Sequence, residues 1–223
     1  TLDDVSYELP ASIAPYMVGE SLAYEPFSTF ADQTGPPVLR FSFGDEETYM
    51  SNNMMIYPVA LTEELGIFNF DQLRQILDER PRAPEIDLFP RTGTGRFFDL
   101  QYEYVHFYNG MGIRYIADFL QEADLFRPDY VYVGLTNDEQ YFVIVSRPID
   151  LPALSAAPQL LAYNQMVEDN YPQFIDEFDT YVELALGVFE IATLDMFNPS
   201  IRDYDAFIRS LRIGDSPPER GGS

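Results

Sequence analysis

The stretch that most constrains the fold is residues 102–148, YEYVHFYNGMGIRYIADFLQEADLFRPDYVYVGLTNDEQYFVIVSRP. Runs rich in tyrosine, valine, isoleucine and phenylalanine alternate with short polar breaks, the signature of consecutive β-strands. At its centre stands Asn109-Gly110, a pair suited to a type I′ hairpin turn because both positions accept positive φ. Pairing about that turn predicts Tyr108 opposite Met111, His106 opposite Ile113, Tyr104 opposite Tyr115 and Tyr102 opposite Ala117, all on one aromatic face that the long C-terminal helix is expected to roof. The other face pairs Val105 with Arg114 and Glu103 with Ile116 and carries Asp118, so it reads as mixed and partly wet. A second hairpin, 130–135 with 141–146, closes around Asn137-Asp138-Glu139 and completes a meander over 102–146.

The remainder of the chain supplies layers for that meander. Residues 5–9 alternate and stop at Pro10, predicting a short strand, and the proline-rich segment 10–37 reads as an irregular covering. Further strands are expected at 38–43 and at 54–59, the second apolar on both faces and therefore interior. Asn69 is a plausible N-cap for a helix over 69–80 that buries Leu73, Ile76 and Leu77 and stops at Pro81. Residues 81–96 form a loop, whose Thr92-Gly93-Thr94-Gly95-Arg96 lacks the spacing of a phosphate loop. Pro158 opens a helix reaching Asp169, and Pro172 a longer one to about Leu194, with a stripe of Phe174, Phe178, Tyr181, Ala185, Val188 and Phe189. Asn198-Pro199 is expected to cap a last helix that turns Ile201, Tyr204, Ile208 and Leu211 inward. The order defines an α+β class: a mainly antiparallel sheet of five to seven strands packed against a long C-terminal helix and the shorter helix at 69–80. The expected domain is 1–213, with 214–223 as a flexible tail or linker stub.

Charge narrows the partners. The chain of 223 residues has 37 acidic and 13 basic side chains, every basic one an arginine, for a net charge of −24. Such a surface repels phosphate backbones, which excludes nucleic acid as a partner, and it disfavours anionic lipid. The absence of cysteine removes disulfides and thiolate chemistry together. No apolar run approaches the roughly 20 residues that cross a bilayer. The first residue, Thr1, is not methionine, and a processed secretory or lipid-anchored precursor is the expected source.

Several segments carry a likeness. VSYELPASIAPYM near the start, NGMGIRYIADF and GLTNDEQYFVIVSRPI in the middle, and DNYPQFIDEFDTY with FNPSIRDYDAFIRSLRI toward the end resemble a family of uncharacterised secreted or lipid-anchored proteins of filamentous bacteria such as the Chloroflexi. The order of strand, helix, antiparallel meander and closing helix is more distantly similar to the Mog1/PsbP-like fold, whose members mostly bind or scaffold other proteins. The likeness implies an extracytoplasmic location and implies no catalytic motif. Such relatives tend to carry glycine at the third position of the turn written here Asn137-Asp138-Glu139, where Glu139 would be strained if the same bulge type is kept.

Chemistry is sparsely signalled. The single histidine, His106, lies in a strand opposite an apolar residue and reads as a half-buried aromatic on the roofed face rather than a base or ligand. Asp45, Glu46, Asp138 and Glu139, with Glu47, Asn137, Asp203 and Asp205, are oxygen donors for a calcium ion, although no EF-hand or nonapeptide repeat is present. Tyrosine crowds the meander. Tyr102, Tyr104, Tyr115, Tyr130 and Tyr132, with Arg114, are the candidate surface for a protein partner or ligand, and the face carrying Glu103, Arg114 and Asp118 is the first place to expect one. The expected function is a non-catalytic cell-envelope or secreted domain acting through protein contacts or self-assembly, in a surface assembly or beside a membrane complex. The alternatives are a ligand-binding module with an aromatic groove between the sheet and residues 10–37, and a carboxylate-pair hydrolase.

Overall fold

The computed structural model describes residues 5–22, 37–44, 52–66, 68–84, 95–120 and 122–214. Seven strands form one sheet: β2 (Met17–Leu22), β3 (Val38–Phe43), β4 (Asn53–Pro58), β5 (Gly95–Phe107), β6 (Gly110–Leu120), β7 (Asp129–Thr136) and β8 (Tyr141–Pro148). Their spatial order is β2-β3-β4-β8-β7-β6-β5, with every neighbouring pair antiparallel. A separate ladder joins β1 (Val5–Ser6) to β9 (Arg212–Ile213). The fold is thus α+β with a mainly antiparallel sheet.

The sheet is buried on both faces. β4, β7 and β8 lie in its interior, and their near-continuous apolar runs follow from that position. One face packs against α1 (Val59–Glu64) and α2 (Phe70–Glu79), in a core of Val38, Met55, Tyr57, Phe70, Leu73, Leu77, Ile113, Tyr115, Val133 and Ile144. The helix α2 forms as its sequence predicts: the Asn69 side chain accepts from Gln72 N at 3.0 Å, and Arg80, in the left-handed region, ends it before Pro81.

The opposite face is covered by α3 (Pro152–Ala156), α4 (Pro158–Asp169), α5 (Tyr171–Asp176), α6 (Phe178–Ile191) and α7 (Ile201–Ser210), over a core that includes Phe43, Val105, Ile116, Tyr130, Tyr132, Phe174, Phe189 and Phe207. Several expectations change here. The long helix from Pro172 is divided at Glu177, whose φ of −103° and ψ of 6° offset the two parts. Phe174 and Tyr181, 5.6 Å apart ring to ring, lie on either side of the break and both enter the core. The last helix is capped by Ser200, whose hydroxyl accepts from Arg202 N at 3.2 Å, not by Asn198. Asn198 instead exchanges two backbone hydrogen bonds of 2.8 Å with Asp150.

The segment 10–37 is not wholly irregular, because β2 lies within it as an end strand of the sheet. The meander begins at Gly95 rather than Tyr102. Residues 215–223, expected as a tail, and the Thr92–Thr94 part of the glycine-rich loop lie outside the described residues.

The Asn109-Gly110 hairpin is present with a different turn. Phe107 pairs with Gly110, His106 with Met111, Tyr104 with Ile113 and Glu103 with Arg114. The loop residues are therefore Tyr108 and Asn109, one place before the expected pair, which moves the pairing register by two, and neither Asn109 nor Gly110 has positive φ. A slip of two keeps every side chain on its predicted face. The faces themselves are covered the other way round. The aromatic face of Tyr104 and Tyr115 lies under α2, and the mixed face of Arg114 and Asp118 lies under the C-terminal helices.

Candidate functional site

Burial separates the candidate surface residues from solvent. Arg114, Tyr115, Tyr130 and Tyr132 are 3%, 1%, 0% and 0% exposed, so these four present no contact area to a partner of the folded domain. Tyr102 and Tyr104 are half-buried on the α2 face, where Tyr102 packs on Tyr115 at 5.9 Å and the Tyr104 hydroxyl donates to Pro81 O at 2.8 Å. His106 is exposed on β5, not roofed.

The buried members form a polar network between sheet and α7. Arg114 Nε and Nη2 donate to the two carboxylate oxygens of Asp205 at 3.2 and 3.3 Å, and Nη1 donates to Gln101 O. The Tyr130 hydroxyl donates to Asp205 Oδ1 at 3.2 Å, and its ring stacks on Tyr204 at 4.6 Å. Burial, reinforced by the Asp205 charge, pushes the Tyr130 and Tyr132 hydroxyls well above their ordinary values. The Tyr132 hydroxyl reaches Val105 O at 3.2 Å through space that only glycine leaves, since a Cβ on Gly112 would stand 2.5 Å from it. This network pins the last helix to the sheet. Nothing in the sequence spacing marked Asp205 as its centre, because the partner Arg114 is 91 residues away.

Two carboxylates, Asp118 and Asp129, are perturbed. Asp118 is raised to about 6 by burial, against the Arg127 N–H that it accepts at 2.6 Å. Asp129 is raised to about 7 by burial, against the Ser146 hydroxyl at 3.2 Å, with the Asp118 charge adding to the rise. Asp129 stands opposite Ala117 in the ladder and shares its face, whereas Asp118, the next residue along, points through the other. A hydrolytic pair needs both carboxyls in one cleft, and these two lack that arrangement.

The calcium candidates are engaged otherwise. Asp138 Oδ1 accepts from Thr136 Oγ1 at 2.7 Å and from Gln140 N at 3.1 Å. Glu139 takes a positive φ of 55°, and its carboxylate meets Arg74 Nε at 2.8 Å. Asp203 accepts from Ser12 Oγ at 2.6 Å. Asp45, Glu46 and Glu47 lie outside the described residues. Among the described residues, no group of three or more histidine or acidic side chains is placed to hold a metal ion.

Two surface features remain. An open groove of about 350 Å³ is lined by Val5, Ser6, Tyr7, Gly19 and Phe41, beside β2 and β3. On the opposite flank lies the helical layer α3–α6. Between Arg147 and Arg202 the chain has nine acidic residues (Asp150, Glu168, Asp169, Asp176, Glu177, Asp179, Glu183, Glu190 and Asp195) and no basic one. The same layer exposes Leu161, Ile175 and Ile191 at 52%, 51% and 75%. No helix among the described residues is long and apolar enough to cross a membrane. No family model, curated protein or solved structure matches the chain.

Proposed function

We propose that this is a non-catalytic extracytoplasmic domain that works by protein contacts, with the α3–α6 layer as its contact surface. The observation that carries the reading is the coincidence, on that layer, of exposed Leu161, Ile175 and Ile191 with the carboxylates of residues 158–191, a segment that contains no basic residue. Apolar side chains supply area for association, and the acidic surround selects partners of opposite charge while holding copies of this chain apart. The extracytoplasmic placement rests on the resemblance to secreted or lipid-anchored proteins.

Purification of the native protein at low and at high salt, followed by mass spectrometry of what accompanies it, tests the reading. A companion released by salt and lost in Leu161→Glu with Ile191→Glu supports it, and a monomer without companions at both salt levels counts against it. A second reading is favoured by the groove. Its lining of Tyr7 and Phe41, 5.9 Å apart ring to ring, suits a small apolar ligand. A ligand of that kind would shift the ring resonances of these two residues and leave those of the helical layer in place.

A further inference from the structure

We propose that Asn109-Gly110 is a site of spontaneous deamidation, held shut in the folded protein by the C-terminal strand β9 and, once converted, unable to hold that strand again. The chemistry needs only water. The backbone nitrogen of the following residue attacks the asparagine Cγ, ammonia leaves, and water opens the cyclic imide to aspartate or isoaspartate. Glycine after the asparagine makes the attack easiest, because no Cβ shields the nitrogen. Asparagine occurs eight times in the chain, and glycine follows it only at 109.

The fold restrains both reacting groups. Residues 211–213 run beside 108–109 as a strand would: Tyr108 N donates to Leu211 O at 3.0 Å, Asn109 Nδ2 to Ile213 O at 2.5 Å, and Ile213 N to Asn109 Oδ1 at 3.1 Å. Swinging Cγ toward Gly110 N breaks both side-chain bonds at once. Gly110 lies in the ladder between Phe107 and Thr136, and Asn109 is 0% exposed, with its carbonyl accepting from Asn137 N at 2.9 Å. Attack therefore waits on withdrawal of β9. That strand is two residues long and pairs with the equally short β1, so it opens at lower cost than the seven-stranded sheet. Conversion then blocks its return. Aspartate at position 109 has no donor for Ile213 O and sets a buried carboxylate against that carbonyl. Isoaspartate also adds a methylene to the backbone at the turn. Either product leaves residues 211–213 without their partner.

The full chain and a free peptide of residues 105–114 are incubated side by side at mildly alkaline pH, and conversion at 109 is followed by mass spectrometry. Hydrogen exchange is read at Ile213 and at Val143, which lies between β4 and β7 in the middle of the sheet. Conversion in the folded chain should be at least about tenfold slower than in the peptide, the ratio set by the cost of opening. It should quicken in Ser6→Pro, which weakens the β1–β9 ladder from the side away from Asn109. In low denaturant the rate should rise with exchange at Ile213 while Val143 stays protected, a comparison that needs no variant. The converted protein and Asn109→Asp should both lose protection at Ile213 and keep it at Val143. Conversion as fast as in the peptide, a rate unmoved by faster exchange at Ile213, a rate that rises only when Val143 also exchanges, or a converted protein that still protects Ile213 would overturn the proposal.

Discussion

At the scale of single residues, Asp205 carries the largest consequence. Its carboxylate holds both Arg114 and Tyr130, and removing it leaves a guanidinium in the core without a counter-ion. Asp205→Ala should cost about 3–5 kcal/mol in chemical denaturation, whereas Arg114→Met with Asp205→Leu should recover most of the loss. If the single and the double variant lose equally, the ion pair is not what makes the site sensitive. Asp118 and Asp129 set a pH dependence. Their folded values of about 6 and about 7 lie above the ordinary 3.8, so the folded state holds protons that the unfolded chain releases. Their effect on stability is therefore most favourable below about pH 4 and is lost as the pH rises through 6 and 7, at about 3 kcal/mol for Asp118 and about 4 kcal/mol for Asp129. Thermal melts should show Tm falling over that window and a flatter profile in Asp129→Asn; an unchanged slope would remove Asp129 as a source.

At the scale of elements, the hairpin at Asn109 shows what local sequence conveys and what it does not. The Asn-Gly pair marked the hairpin but missed its loop by one residue and its type. The glycine is required because a Cβ at Gly110 would collide with the Phe107 ring and Leu135 O, and the asparagine because its side chain is used elsewhere. Asn109 Nδ2 donates to Ile213 O at 2.5 Å and its Oδ1 accepts from Ile213 N at 3.1 Å, so one side chain pairs with β9 as a strand backbone would. Asn109→Ala should lose about 2 kcal/mol and should raise amide exchange at Ile213 before any other strand; equal protection there would contradict the role. The α2 helix was legible because cap, stripe and stop are all local. The break at Glu177 was not, since no proline or glycine marks it. Nor was the covering of the two faces. The alternation of 102–108 with 111–118 sorts side chains into two sets, but which set meets which helix depends on contacts far along the chain, such as Asp205 with Arg114. That is why residues expected at a surface are the most enclosed in the protein.

At the scale of the whole molecule, a net charge of −24 makes the folded state repel itself. Added salt should therefore raise Tm steadily and then level off as the Debye length falls to about 3 Å near 1 M. Insensitivity to salt would mean that the carboxylates are locally compensated. The pairing of β1 with β9 sets a further property. Val5 faces Ile213 and Ser6 faces Arg212, so the chain enters and leaves the fold side by side at the same end of that ladder. A pull applied between the two ends loads the outermost hydrogen bonds first and peels them one after another, instead of shearing them together. Held at both ends, the domain should yield at β1 and β9 under a small force while the seven-stranded sheet stays folded, and its mechanics would be those of a zipper and not of a rivet.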